Sequence, residues 1–123
     1  MKLNHVTVQA HDFPRSAAFY RALGLLPIVD SGPRYARFLC PHGGSSLAVT
    51  SRPTVATVHF ECDDLDATVA GLAARGIVPE TAPADQPWLW REARLRDPDG
   101  NPIVLYTAGK NRLNPPWRQK EVW

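Results

Sequence analysis

Hydrophobic and polar positions change their period along this chain in a regular way. "LNHVTVQ", residues 3–9, alternates apolar and polar side chains over most of its length and predicts a strand. "HDFPRSAAFYRALGL" follows with helical character. Asp12 suits the N-cap, Pro14 the first turn, and Gly24 the stop. Ala17, Ala18, Arg21 and Ala22 suit the body of the helix. Three short strands are predicted next, "LLPIVD", "RYARFLC" and "SSLAVT", separated by turns at Gly32-Pro33 and Gly43-Gly44.

The pattern then starts again. "TVHFEC" predicts a strand and "DDLDATVAGLAARGI" a helix, with Asp63 or Asp64 as cap and Gly76 as stop. "IVPE" predicts a short strand, and the Pro-rich "TAPADQP" a loop. "WLWREARLR" and "PIVLYT" predict a hairpin around the turn "DPDGN". Phe13 matches Leu65, Gly24 matches Gly76 and Leu25 matches Ile77, all at an offset of 52 residues. Each half reads strand, helix, then further strands, and two such units side by side can curve their sheets around a shared cleft. The division is one domain over residues 1–108, with modules at 1–52 and 54–108, and a tail at 109–123. The tail has adjacent prolines and no periodicity; it is expected to pack on the surface or reach a partner, and Trp117 and Trp123 would help to cover a partner or the cleft.

Composition narrows the classes. The chain has 123 residues, 44% hydrophobic and 21% charged, an ordinary balance for a single globular domain. Its net charge of +2 is spread without a basic run or stripe, which argues against nucleic acid as partner. The N-terminus lacks a secretory apolar region, and no run approaches the roughly 18 apolar residues of a membrane span. Cys40 and Cys62 read as buried reduced thiols, so the expected location is cytoplasmic.

The order of these segments resembles a known family. "LNHVTVQAHDFPRSAAFYRALGL", "HFECDDLDATVAGLAARGI" and "WREARLRDPDGNPIVLY" are similar to the module openings and closing hairpin of the vicinal oxygen chelate superfamily, over roughly residues 1–107. The resemblance implies an α+β fold of two βαβββ modules forming an open, barrel-like sheet around a cleft. It also implies the family's range of activities: glyoxalase, extradiol dioxygenase, fosfomycin modification and bleomycin binding. It implies a homodimer and a small-molecule ligand as partners.

Metal enzymes of that family carry ligands on the first and last strands of each module. The corresponding positions are His5, Ala48, Thr57 and Val104. Ala and Val have no side-chain donor, and a Thr hydroxyl is a poor ligand for a transition metal, so the usual site is broken. A shifted site is the alternative. Residues two apart share a strand face, so Thr57, His59 and Glu61 lie together, as do His5, Thr7 and Gln9. Val6, Val8, Val58 and Phe60 would face the helices. His5, His59 and Glu61 would then form a two-His, one-carboxylate set for Fe, Zn, Ni or Mn. In the other reading no cofactor is bound. His59 is then a cleft or core histidine, bonded to Glu61, Glu92 or a backbone group. His11 and His42 fall in loops and read as solvated.

The strand reading of "PWLWREARLR" puts Trp88, Trp90, Glu92, Arg94 and Arg96 on one face. The tryptophans would either stack on a flat ligand or cap the sheet. Arg37, sharing a face with Tyr35, would either hold an anionic group or lie at the surface. Tyr106 shares the face of Val104. No P-loop, nucleophile elbow or zinc-finger spacing is present, and Asp97 and Asp99 are turn residues by type.

Three readings remain open. The first is a protein holding an apolar or aromatic molecule among His5, Thr57, His59, Trp88, Trp90, Tyr106 and Arg37, without a metal. The second is a divalent-metal lyase, isomerase or dioxygenase acting on vicinal oxygens, with Glu61 or Glu92 as base. The third is a structural or regulatory dimer whose cleft is incidental.

Overall fold

The computed structural model describes residues 1–119, so Trp123 lies outside the described part. The first module contains β1 (Lys2–Gln9), α1 (Phe13–Leu23), β2 (Leu26–Asp30), β3 (Tyr35–Leu39) and β4 (Ser46–Thr50). The second contains β5 (Thr57–Glu61), α2 (Leu65–Ala73), β6 (Ala84–Asp85), β7 (Arg91–Arg96) and β8 (Pro102–Thr107). The eight strands form one open mixed sheet in the order β2-β3-β4-β1-β5-β8-β7-β6. Among the described residues, no helix is long and apolar enough to cross a membrane.

Helix boundaries follow from local chemistry. Asp12 caps α1 by accepting from Arg15 N at 3.2 Å, and Asp64 caps α2 by accepting from Ala67 N at 3.1 Å. Gly24 ends α1 with φ of 113°, a left-handed conformation that a residue with a Cβ adopts only with strain.

The modules meet along the antiparallel β1–β5 pair, with Val6 opposite Val58. That pair is separated by the repeat offset, 58 − 6 = 52, so it sits on the pseudo-twofold axis of the duplicated unit. His5 opposite His59 and Thr7 opposite Thr57 flank it. Helices cover the outer face. Phe13 and Ala17 of α1 pack with Phe38 and Val49, and Leu65 of α2 packs with Ala93 and Leu105. Val8 and Phe60 join these clusters, as the strand alternation predicts.

Two predicted segments differ. "IVPE", residues 77–80, is not a strand. Pro79 has no N–H to offer a ladder, and only Glu80 N and Thr81 N reach the sheet, both donating to Arg94 O. The module's short strand is instead β6, inside the stretch read as a loop. Trp88 and Leu89 do not begin a strand either. They form a turn with Leu89 at φ 68°, closed by Gln86 N donating to Trp90 O at 2.8 Å. Regular pairing starts at Arg91.

The tail returns to the sheet. After a short 3₁₀ turn at Gly109–Asn111, Arg112 donates to Gly44 O at 2.8 Å, and Gln119 N donates to Ile28 O at 2.8 Å.

Candidate functional site

The inner face of the sheet is laid out in rows by the strand register. Ser46, His5, His59, Val104 and Arg94 form one row; Arg37, Ala48, Thr7 and Thr57 form the next. Above them opens a cleft of about 590 Å³. It is formed within a single chain, with walls from both modules and a rim residue, Trp117, from the tail.

His5 is buried, with Nδ1 2.7 Å from Ser46 Oγ and Nε2 3.4 Å from Thr7 Oγ1. His59, only 7% exposed, has an Nδ1 without a hydrogen-bond partner among the described residues. Burial pushes the His59 imidazole down to about 4, against the pull of the Thr57 and His5 backbone, with Arg94 and Arg37 adding to the lowering. His5 is held well below its ordinary range by burial, then by His59, Arg37 and Arg112. Both rings are therefore neutral near pH 7.

Trp90 lies beneath the cleft and is almost wholly covered. It stacks on Tyr106 at 4.4 Å and 16° between planes, and its indole N–H donates to Asn111 O at 3.0 Å. The Arg37 guanidinium sits 4.7 Å from the Trp90 ring centre. Arg37 also donates to Tyr35 Oη at 2.9 Å, Arg112 O at 3.0 Å and Asn111 O at 3.4 Å. Trp88 is half-buried on the cleft wall and donates to Glu92 Oε2 at 2.6 Å. Glu92 is buried and also accepts from Arg94 at 3.2 Å. Burial raises its carboxyl above the ordinary range, against the pull of the Trp88 hydrogen bond and of Arg94 and Arg37.

The structure thus brings His5, Thr57, His59, Trp88, Trp90, Glu92 and Arg37 to one cleft. Tyr106 lies one layer below, fully buried, with its hydroxyl donating to Asn4 Oδ1. Arg96 lies outside, paired with Glu80 at 3.3 Å. Glu61 belongs to a different, smaller cavity of about 390 Å³. It accepts from Asn4 Nδ2 at 3.0 Å and faces Arg112 at 3.8 Å.

The expected metal set of His5, His59 and Glu61 is therefore not assembled. The register of β1 against β5 shifts between Leu3 and His5, leaving Asn4 as an extra residue that engages Glu61. Arg112 then occupies the space between Glu61 and Ser46, donating to Ser46 Oγ at 3.1 Å. Among the described residues, no three His, Cys, Asp or Glu side chains form a group suited to a metal ion. Nor do the four family positions fit one. Ala48 and Val104 bring no donor, and Thr57 Oγ1 donates to Val55 O at 3.1 Å.

Several cleft residues carry no sequence signal. Arg34, Arg52 and Thr54 come from strand ends and loops, and the second partner layer of Asn4, Ser46, Asn111 and Arg112 comes from long-range contacts.

Comparison with known proteins agrees with this architecture. A family model described as Glyoxalase/Bleomycin resistance protein/Dioxygenase superfamily matches residues 2–105. The chain is 30% identical to the uncharacterized protein YraH of Bacillus subtilis (strain 168), with 86% of this chain and 98% of that protein covered. Among solved structures it resembles the Mn(II)-bound glyoxalase from Novosphingobium aromaticivorans, at 16% identity and a TM-score of 0.71, covering 87% of this chain and 38% of that one. It also resembles a superfamily member from Vibrio splendidus 12B01, at 13% identity and a TM-score of 0.65, covering 86% of this chain and 99% of that one. The chain belongs to the glyoxalase/bleomycin resistance protein/dioxygenase superfamily.

Proposed function

We propose that the protein binds a small apolar or aromatic molecule in the inner-face cleft, without the metal set usual in its family. The observation that carries this reading is the cleft floor. Neutral His5 and His59 line a roomy, aromatic-walled cavity with Trp88 and Trp90, while the family's metal positions are filled by Ala48, Thr57 and Val104. A concave, mostly aromatic cavity with a few convergent polar groups is the usual form of a small-molecule site. The free thiols of Cys40 and Cys62 suit a reducing, cytoplasmic setting. A homodimer belongs to the same reading through the family resemblance, and sedimentation in dilute solution tests it.

The second reading is an enzyme using a divalent ion on a substrate with vicinal oxygens, with Glu61 or Glu92 as base. Its support is the closeness of two neutral histidines, whose ring centres are 4.7 Å apart. Glu61, engaged by Asn4 and Arg112, counts against it.

One experiment separates the two. Metal content is measured after incubation with ferrous iron, zinc, nickel and manganese, and ligand-induced thermal stabilisation is screened in the presence of a chelator. Stabilisation by small aromatic compounds with no stoichiometric metal supports the binding protein. Close to one ion per chain, lost in both His5→Ala and His59→Ala, would overturn it in favour of the enzyme.

A further inference from the structure

The cleft has a charge asymmetry that the fold does not require. Among the described residues, four arginines line it, Arg34, Arg37, Arg52 and Arg94, against one carboxylate, Glu92. Arg94 is paired with that carboxylate at 3.2 Å. Arg37 is buried in the floor, and the hydrogen-bond partners its guanidinium finds are neutral: a Tyr hydroxyl and two backbone carbonyls. The exposed side chains of Arg34 and Arg52 make no ion pair or hydrogen bond among the described residues. They are nonetheless fixed as neighbours. Arg34 precedes β3 and Arg52 follows β4, and Ser51 N donates to Arg34 O at 2.9 Å. Two cations with no counter-charge among the described residues thus stand at the mouth, above a third in the floor.

A concave wall of one sign focuses its field into the cavity and raises the local concentration of the opposite charge. A cationic ligand would meet net repulsion. A neutral one would leave the mouth guanidiniums unused. The walls between them are apolar and flat: Trp88, half-buried, and Trp117, 43% exposed. Such rings accept a planar ligand face to face, and guanidinium forks match the two oxygens of a carboxylate or phosphate.

We infer that the cleft takes an oxyanion carried on a flat aromatic frame, with Arg34 and Arg52 holding the anionic end at the mouth and the aromatic frame lying against Trp88 and Trp117. This inference rests on the proposal that the cleft is a ligand site, and adds the ligand's charge and shape. Sequestration or chemistry would both act on a molecule of this class.

The test uses three probes on one aromatic frame in calorimetric titrations: naphthoate, its neutral isostere naphthamide, and naphthyl phosphate. Naphthoate or naphthyl phosphate should bind roughly tenfold more tightly than naphthamide, and the better of the two names the oxyanion. In the double variant Arg34→Gln, Arg52→Gln the advantage should fall to roughly threefold or less, and raised salt should have the same effect. Both residues are exposed, so unchanged thermal unfolding of the variant checks that the fold is intact. Equal binding of all three probes, or an oxyanion advantage that survives the double variant, would overturn the anion inference while leaving the cleft as an aromatic site. Absence of binding by all three up to millimolar concentration would overturn both.

Discussion

His5 and His59 stand opposite each other across the central β1–β5 pair, their ring centres 4.7 Å apart and their planes at 84°. Edge-to-face packing at that distance suits two neutral rings. It does not suit two cations, and burial adds to the cost of charging either one. The pseudo-twofold axis runs beside them, through Val6 and Val58, so the duplicated scaffold places two imidazoles at its own centre.

This arrangement predicts a stability profile with a definite sign. Unfolded, a histidine titrates near 6.5, whereas folded His59 titrates near 4. The unfolded chain therefore takes up the proton first as the pH falls. Stability is fully present above about 6.5 and is lost progressively down to about 4, by roughly 3 kcal/mol for His59 when the loss is complete. Glu92 acts in the opposite sense, because its raised carboxyl carries a cost at neutral pH that acid removes. Comparing wild type with His59→Gln isolates the imidazole. Urea unfolding from neutral pH to near pH 4 should show a shallower loss in the variant, while parallel profiles would show that His59 titrates as an ordinary histidine.

Asn4 predicts a second effect. It accepts from the Tyr106 hydroxyl and donates to Glu61, joining β8 to β5 through the bulge in β1. Tyr106→Phe leaves one acceptor of Asn4 without its partner, at a cost of about 1–3 kcal/mol. Asn4→Ala removes the whole link and frees Glu61 to face Arg112 alone. The larger loss should therefore come from Asn4→Ala, read as the urea midpoint at constant m-value. Equal and negligible losses would show that water serves these groups in the native state.

The donor chemistry of the inner face predicts weak metal binding. His5 is flanked on both ring nitrogens, and its row neighbours are Ser46, His59 and Val104. Two histidines without a gathered carboxylate leave a divalent ion short of the usual three protein ligands. Zinc titration followed by a competing chromophoric chelator should give micromolar or weaker affinity, and His59→Ala should change it little. Nanomolar affinity abolished by that substitution would mean that Glu61 or Glu92 swings in on binding.

The parts of the molecule that were legible in the sequence are those governed by a fixed period. The offset of 52 reappears as the Val6–Val58 pairing, and the two-residue strand period puts His5, Thr7, Thr57 and His59 on the cleft face and Val8 and Phe60 against the helices. Where the period breaks, the reading fails. A single extra residue at Asn4 brings its amide onto Glu61, which lines the neighbouring cavity, and no feature of "KLNH" announces it. Leu89 in a left-handed conformation turns "WLW" into a bend, although its residue types favour a strand. The tail has no period, so its partners, Arg37, Trp90 and Ser46, are visible only in three dimensions.

Arg37 predicts the behaviour of that tail. Its planar fork serves Tyr35 Oη and the carbonyls of Asn111 and Arg112 at once, while its face covers Trp90. Lysine keeps the charge but has neither the fork nor the face, so Arg37→Lys should leave at least one buried acceptor unserved, at about 2–3 kcal/mol. The loss should be local first. Amide exchange at Asn111 and Asn114, whose N–H groups close the tail turns onto Ala108 O and Lys110 O, should speed up in the variant before global unfolding does. A uniform fall in stability with no selective change at these amides would mean that the tail is held by Arg112 and Gln119 instead, through their bonds to Gly44 O and Ile28 O.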